Sequence, residues 1–368
     1  MKKLEALLTI TSVAGIGSVR YERLIRHFGN IDNIIKADIN SLQQVQGIGP
    51  ELAHKIRESV ASGKGTEELQ RAEKSKVRII TYEDEGYPAN LLTIYDYPLI
   101  LYVRGELKPE DNLAIGIVGT RRASYYGKNQ AERLGYDLAI RGVCIVSGLA
   151  RGIDTHSHLG ALKAKGRTIA VLGSGLDRIY PAENKKLSDR IAESGAVISE
   201  LPMQTAPEAR NFPVRNRIIS GLSLGILVVE APRRSGALIT VDFALDQNRQ
   251  VFVVPGRIDT LTSAGCHQLI KQGAKLVENV DDILEEIVVE REQLKPVTSV
   301  ASDKPKAVLL DHREETIINL LSADEPRNIE DIIMECRLPP ALTSATLLSL
   351  ELKRLIRQLP GKNFLRLA

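Results

Sequence analysis

The chain has 368 residues, of which 43% are hydrophobic and 26% charged, and this composition excludes a disordered or fibrous protein. Its length favours two or three globular domains over one. The net charge of +3 falls short of the strongly basic balance that would by itself indicate a nucleic-acid partner, so any surface for such a partner has to be local.

The cysteines and the first residues favour a cytoplasmic protein. Cys144, Cys266 and Cys336 are scattered and lack the paired spacing of a zinc site or a redox motif, as is typical of reduced thiols. The apolar stretch 4–10 is too short to span a bilayer and contains Glu5. We therefore expect no membrane attachment and a cytoplasmic location.

The N-terminal region contains an internal repeat. VAGIGSVRYERLI at 13–25 and VQGIGPELAHKIR at 45–57 both read as a glycine turn entering an amphipathic helix. The repeat resembles a tandem helix-hairpin-helix module and predicts a domain over residues 1–66. Four glycines would let backbone amides approach a phosphate, namely Gly15, Gly17, Gly47 and Gly49. Such modules often serve only in protein docking or packing, and few basic residues surround either hairpin.

The central region, residues 67–290, alternates short apolar runs with helical stretches. The runs are VRIITY, LAIGIVG, VCIVSG, TIAVLG, AVISE, GILVVEA and VFVVPG. Apolar strands separated by helices are typical of a parallel sheet covered on both faces. The predicted fold is a doubly wound, mostly parallel α/β domain of the extended Rossmann type.

The C-terminal region is separated by a Pro-, Ser- and Lys-rich linker, predicted at 291–311. Residues 312–368 then contain three helical stretches followed by two short extended pieces joined at Pro360 and Gly361. This order predicts a winged-helix domain.

The predicted strands end in unusual loops. They are GTRRASYYG at 119–127, SGLARGID at 147–154, LGSGLDRIYP at 172–181, SELP at 199–202, EAPRRSGALIT at 230–240 and PG at 255–256. Ligands of open parallel sheets bind at these ends, where helix N-termini present unpaired N–H groups. The loops therefore predict a crevice for an anion such as phosphate.

Arginines concentrate in or beside the same loops, and their guanidinium groups suit phosphate. They are Arg121, Arg122, Arg151, Arg215, Arg217, Arg233 and Arg234. Phe212 is a candidate for stacking on a base, and Asn216 for reading one, although Phe212 is equally consistent with a core position.

Taken together, the ordered motifs GTRRAS, SGLARGID, LGSGLDRIYP, SELP, FPVRNRIISGLS, EAPRRSGALIT, VPG and LIKQGA resemble those of the DNA-processing protein A (Smf) family. The resemblance implies a Rossmann-type domain that binds single-stranded DNA. It also implies a homodimer that loads the RecA recombinase in natural transformation, with no cofactor or metal. The implied DNA-binding residues are Gly119, Thr120, Arg121, Arg122, Ser147, Gly148, Arg151, Gly152, Gly173, Gly175, Phe212, Arg215, Asn216 and Arg217.

Two other functions compete with this interpretation. A nucleotide-processing enzyme would use the same crevice, with Glu200 or Glu230 as acid or base. We favour a binding protein over an enzyme, because neither a G-x-G-x-x-G loop nor a Walker A loop is present and both glutamates suit the orientation of loop amides and arginines. A pure interaction scaffold would leave the arginine-bearing loops unexplained. His156 and His158 are two apart and do not share a helix face, which disfavours a metal site.

Overall fold

The computed structural model describes residues 2–287, 311–322, 326–336, 338–353, 355–359 and 361–366. The chain divides into two compact units, Met1–Thr298 and Ser299–Ala368. The predicted linker, apart from its last residue, lies outside the described residues.

The first unit begins with six helices. They are α1 Lys3–Thr11, α2 Ser18–Phe28, α3 Ile31–Lys36, α4 Ile39–Gln43, α5 Pro50–Ser62 and α6 Lys64–Lys74. The two glycine turns precede α2 and α5, as the repeat predicts. Gly15 and Gly47 have φ of 98° and 88°, a left-handed conformation that residues with a Cβ rarely adopt.

These helices are not separated from the sheet by a gap. Helix α6 packs against α1, and the predicted boundary at residue 66 falls inside α6. One hydrophobic cluster joins Leu24 and Ile56 of the helical region to Tyr102 and Val197 of the sheet. The boundary stays a prediction, but the helical region and the sheet form one packed body.

The sheet has nine strands in the order β1-β2-β6-β5-β4-β3-β7-β8-β9. In chain order they are β1 Arg78–Thr81, β2 Ile100–Gly105, β3 Ala114–Val118, β4 Cys144–Ser147, β5 Thr168–Val171, β6 Ala196–Ser199, β7 Gly225–Val228, β8 Gln250–Val253 and β9 Lys275–Leu276. In this sheet order, neighbouring strands are parallel throughout the run β6-β5-β4-β3-β7-β8-β9. Strands β1 and β2 pair antiparallel with each other, and β2 pairs antiparallel with β6. The mostly parallel α/β fold predicted from the sequence is thus confirmed.

Helices cover both faces of this sheet. They are α7 Ala89–Leu92, α8 Tyr125–Ile140, α9 Ile153–Lys163, α10 Lys185–Ser194, α11 Asn211–Leu222, α12 Gly236–Asp246, α13 Ala264–Lys271 and α14 Asp281–Leu284. One core joins Ile117 of β3 to Leu134 of α8. The core on the other face joins Val118 of β3 to Ile219 of α11. Alternate side chains of one strand thus point to opposite layers, as the pleat of a strand requires.

The connections reverse direction at β3. From β3 the chain moves to β4 and β5 on one side, whereas β7 and β8 lie on its other side. The loops that leave the carboxyl ends of β3 and β7 therefore separate and leave a crevice between them. This is the position where open α/β sheets bind their ligands.

The described residues of the second unit form three helices and a three-stranded sheet of order β10-β12-β11. Its elements are α15 His312–Leu320, β10 Arg327–Asn328, α16 Ile329–Cys336, α17 Pro340–Leu352, β11 Ile356–Leu359 and β12 Asn363–Arg366. Strands β11 and β12 form the wing, so the winged-helix prediction is confirmed. In the part of the chain that the structure describes, none of the helices has both the length and the apolar character needed to cross a membrane.

Candidate nucleic-acid interface

A cavity of about 700 Å³ opens at the carboxyl ends of β3 and β7. Seven of the residues expected to contact DNA line it, namely Gly119, Thr120, Arg121, Arg122, Phe212, Arg215 and Asn216. Its volume is within the range of ordinary ligand pockets. The wall is shared by the loops before α8 and α12 and by one face of α11.

The loop after β3 is fixed by Glu230, which follows β7. The Thr120 amide donates to the Glu230 carbonyl oxygen at 2.7 Å. The Glu230 carboxylate accepts from the Ser124 amide at 2.9 Å and from the Ser124 hydroxyl at 3.1 Å. Glu230 is buried, so its side chain orients this loop, as the sequence analysis favours.

The loop after β4 is fixed by Asp154. Its Oδ2 accepts from the amides of Gly148 at 3.1 Å and Ala150 at 3.3 Å. Gly152 has a φ of 76°, and a Cβ at this position would meet the Thr120 carbonyl oxygen. The two loops therefore pack so closely that only glycine fits between them.

Arg215 lies beneath these loops as part of the cavity floor. It is 5% exposed and donates to the carbonyl oxygens of Gly148, at 2.9 Å, and Val171. Burial lowers the pKa of Arg215 to about 10, and the charge of Asp154 opposes that shift. The sequence gives no sign of this burial, so from the sequence alone Arg215 is interpreted as a surface arginine. In the fold it supports the loop backbone.

Three other arginines point outward around the cavity. Arg121, Arg122 and Arg234 are exposed cavity residues, and no ion pair joins any of them to another described residue. The Arg121 guanidinium lies over the Phe212 ring, 5.2 Å from its centroid. Tyr180 flanks the same ring with a centroid separation of 5.6 Å. Cationic and aromatic groups therefore meet at the rim.

Arg151 lies at a smaller cleft beside the main cavity, with Gly148 and Tyr180. Its guanidinium is paired with Glu183, with Nε–Oε1 at 2.5 Å and Nη2–Oε2 at 2.7 Å. Both side chains are more than half exposed. The pair is a surface one, and such pairs contribute little and exchange readily with other partners.

The remaining residues expected at the site do not line the cavity. The buried Ser147 hydroxyl donates to the Ile117 carbonyl oxygen at 2.6 Å. Gly173 leaves room for the Phe212 ring, and Gly175 packs against the backbone of Met203. Like Gly152, these residues shape the loops.

Arg217 faces away from this cavity. Two residues beyond Arg215 on α11, it points to the opposite side of the helix, where its Nε lies 3.0 Å from Asp96 Oδ2 and its Nη2 lies 2.5 Å from Glu200 Oε2. The spacing of Arg215 and Arg217 along the chain does not show which of them faces the cavity, because this depends on the position of α11 in the fold.

The residues considered for catalysis or metal binding have structural partners. His158 is fully buried, its Nδ1 lies 2.7 Å from Thr168 Oγ1, and burial lowers its pKa to about 3. His156 instead lies 3.4 Å from Glu132. The described residues contain no cluster of His, Cys, Asp and Glu side chains suited to a metal ion.

Sequence reasoning missed two parts of the site. Tyr180 belongs to the motif LGSGLDRIYP, and an aromatic residue at a strand-end loop is the signal that could have marked it. Ser235 caps α12 by accepting from the Ala237 amide at 3.2 Å and lines the cavity beside Gly236. Arg234 precedes them in a loop that the sequence analysis counts as basic but leaves out of the site.

Comparisons with known proteins identify families for three regions of the chain. The family described as DNA recombination-mediator protein A matches residues 78–288. A DprA winged-helix domain matches residues 301–362, and a SAM-like helix-hairpin-helix tandem matches residues 7–61. Each of the three regions read from the sequence thus has a counterpart.

Relatives cover most of the chain. Protein Smf of Synechocystis sp. is 34% identical over 98% of this chain and 98% of its own. The structure of DNA processing protein A from Streptococcus pneumoniae superposes with a TM-score of 0.69 at 34% identity, covering 79% of this chain and all of that one. That of Helicobacter pylori, described for its single-stranded DNA binding mode, gives a TM-score of 0.52 at 31% identity over 57% of this chain and 96% of its own. The chain is therefore a member of the DNA recombination-mediator protein A (DprA/Smf) family.

Proposed function

We propose that this protein binds single-stranded DNA in the cavity between the loops after β3 and β7. The observation that carries the proposal is the group of outward-pointing arginines Arg121, Arg122 and Arg234 at the cavity rim, with no carboxylate partner among the described residues. Phosphate is the ligand that such unpaired guanidinium groups suit best.

The aromatic rings explain why a single strand fits better than a duplex. Phe212 and Tyr180 lie within stacking distance of each other beside Arg121, and an unpaired base can stack on such rings. In a duplex the faces of the bases are already covered by their neighbours. The proposed arrangement therefore places bases on the Phe212 side and phosphates on the arginine side.

The residues behind the rim act indirectly in this proposal. Arg215, Asp154 and Glu230 hold the loop backbone, so that the loop amides and rim arginines meet the strand without reorganisation. The relative from Helicobacter pylori supports the choice of ligand, because its structure concerns single-stranded DNA binding.

Family membership also supports a role in recombination. We propose that the protein delivers its strand to the RecA recombinase, a role that the family's description as a recombination mediator supports. We also propose that it acts as a homodimer. A cytoplasmic location is part of the same proposal, and the free cysteines Cys144, Cys266 and Cys336 are consistent with a reducing compartment.

We propose a binding protein without catalytic activity. The carboxylates that could serve as acid or base are engaged with protein groups: Glu230 with Ser124, Asp154 with loop amides, and Glu200 with Arg217. Incubation with ATP, NAD or nucleoside monophosphates should return each compound unchanged. Turnover that disappears in Glu230→Gln or Glu200→Gln would instead support the nucleotide-processing enzyme.

The binding proposal is tested by titrating the full chain with a single-stranded oligonucleotide, a duplex of the same sequence and mononucleotides, each at two salt concentrations. The single strand should bind most tightly, with an affinity that falls as salt rises. Preference for a mononucleotide would favour the enzyme, and preference for duplex would contradict the proposed site.

A further inference from the structure

A second cavity, of about 590 Å³, lies between the first glycine turn and the edge of the sheet. Both of its walls belong to the first compact unit. One wall contains residues of the turn and the start of α2, and the other contains residues before β2, after β6 and on α11: Gly15, Gly17, Ser18, Arg20, Arg23, Tyr97, Glu200 and Arg217.

Helix α11 separates this cavity from the first one. Phe212, Asn216 and Ile219 line the first cavity, and their spacing of four and three residues places them on one face of the helix. Val214 and Arg217, three residues apart, line the second cavity. A strand leaving the first cavity therefore reaches the second by crossing a single helix.

The second cavity is lined by more positive than negative side chains, namely Arg20, Arg23 and Arg217 against Asp96 and Glu200. Arg20 donates to the Gly15 carbonyl oxygen at 2.5 Å, and Arg23 donates to the Gln46 carbonyl oxygen at 3.2 Å. No carboxylate within the described ranges pairs with either guanidinium. The two hydrogen bonds hold both side chains across the glycine turns while leaving most of their N–H donors available.

Two buried polar groups here lack partners. Ser18 is 3% exposed, and its hydroxyl makes no hydrogen bond within the described part of the chain. Arg217 is 8% exposed, and its Nη1 is likewise unpaired, although Asp96 and Glu200 pair with its other nitrogens. Buried polar groups are rarely left unsatisfied. Gly17, the residue before α2, also supplies no side-chain cap, so the helix N-terminus is open to an anion.

We infer that the second cavity binds further phosphodiesters of the same DNA strand that occupies the first cavity. This inference rests on the proposed function and deepens it. Arg20 and Arg23 contact the phosphates, and the N-terminus of α2 with the Ser18 hydroxyl supplies additional donors. The N-terminal helices thereby lengthen the stretch of single strand that one protein molecule holds.

The test compares oligonucleotides of two lengths on the full chain. One of about 5 nucleotides fills the first cavity alone, and one of about 15 reaches the second, both within the site sizes of single-strand binding folds. The double substitution Arg20→Ala, Arg23→Ala should weaken binding of the long oligonucleotide about tenfold or more and leave the short one unchanged. It should also flatten the salt dependence for the long one by roughly 0.7 for each phosphate that the variant no longer neutralises.

The matched control is Arg26→Ala against Arg23→Ala. Both remove one arginine from α2, but Arg26 lines neither cavity, so only Arg23→Ala should weaken the long oligonucleotide. If the double alanine variant does not fold, Arg20→Lys, Arg23→Lys retains the charge, and single Arg23→Ala still gives the length comparison.

If the variants and the parent gained the same factor in affinity from the short to the long oligonucleotide, the inference would be overturned. The proposed function would remain intact. If the substitutions weakened the binding of duplex DNA only, the inference would also be overturned, because the second cavity would then bind duplex. If the parent bound no single strand of either length, the proposed function itself would fail.

Discussion

The α/β domain, which contains the first cavity, and the winged-helix unit both have folds associated with nucleic acid. Their positively charged side chains are nevertheless placed differently. Around the cavity, Arg121, Arg122 and Arg234 point outward without ion pairs among the described residues. In the winged-helix unit, Lys353 Nζ lies 2.6 Å from Glu314 and Arg327 lies 2.7 Å from Glu335. Helix α17 contains no basic residue.

The absence of basic residues from α17, together with these two ion pairs, separates the winged-helix unit from the cavity better than fold does. A guanidinium or ammonium held by a carboxylate must give up that partner before it contacts phosphate, whereas an unpaired one only exchanges water and counterions. We therefore assign the main DNA affinity to the cavity, although winged helices are usually interpreted as DNA-binding domains. The predictions below test this assignment.

The largest expected effect comes from Arg215→Met. The substitution leaves the buried Asp154 without its compensating charge and removes donors from the carbonyl oxygens of Gly148 and Val171. Each buried carbonyl oxygen left without its donor costs about 1–3 kcal/mol, and the loss of the nearby charge adds to this. We expect a loss of this size in the free energy of unfolding measured with urea, together with loss of single-strand binding.

Arg121→Met is the matched control for that measurement. Arg121 belongs to the same cavity but is exposed, so its replacement should change the free energy of unfolding by less than about 0.5 kcal/mol. If both variants unfold alike, Arg215 does not support the cavity floor.

The next effect is on DNA affinity. Arg121→Ala should weaken single-strand binding by about 1–3 kcal/mol with little dependence on base sequence, because in the proposed site its guanidinium contacts phosphate. The slope of log affinity against log salt should flatten by roughly 0.7, the value for one phosphate contact on a single strand. Fluorescence anisotropy at several salt concentrations measures both quantities.

Arg121→Lys separates charge from geometry, since it keeps the charge but loses the planar fork over Phe212. It should recover most of the salt slope. Unchanged affinity in Arg121→Ala, Arg122→Ala and Arg234→Ala alike would remove the site from this cavity.

Much of the fold could be predicted from the sequence because apolar runs and turn residues are local signals. The strands from β3 to β8 and helices α15 to α17 all lie where periodicity places them. Strand direction is not a local property. VRIITY reads as another strand of a parallel sheet, but β1 pairs antiparallel with β2, a strand that the sequence analysis omitted.

The site was predictable only in part, for a similar reason. Loop glycines and arginines gather at one end of the sheet, where Gly119, Arg121 and Phe212 line one cavity. Sequence cannot show which side of a helix a side chain occupies in the packed protein. Arg215 and Arg217 look equivalent in VRNR, yet one supports the cavity floor and the other faces Glu200.

A smaller effect is expected from removing the winged-helix unit. Deletion of residues 291–368 should leave single-strand affinity within about tenfold, or roughly 1.4 kcal/mol, because Lys353 and Arg327 are already paired with carboxylates. The deletion variant should first be shown to melt cooperatively. A loss of two or more decades in a folded variant would reverse the assignment of affinity between the two units.

The smallest effect on DNA binding is expected from Glu314→Gln. Hydrogen bonds from Lys353 and from the Asp311 amide lower the pKa of Glu314 to about 2, below its ordinary value of 4.5. A carboxyl group with a lowered pKa stabilises the folded state above its ordinary pKa, and this contribution disappears as the pH falls toward the lowered value.

Hydrogen exchange in peptides of α15 and α17, corrected for the intrinsic effect of pH, should therefore show protection falling as the pH drops below about 4.5. In Glu314→Gln, protection should already be reduced at neutral pH and should depend less on pH over that window. The substitution also releases Lys353 from its ion pair, yet single-strand affinity should stay within about twofold, since one further cation beside α17, a helix without basic residues, adds little. A tenfold gain in affinity would show that the ion pair restrains a DNA-binding surface in the winged-helix unit.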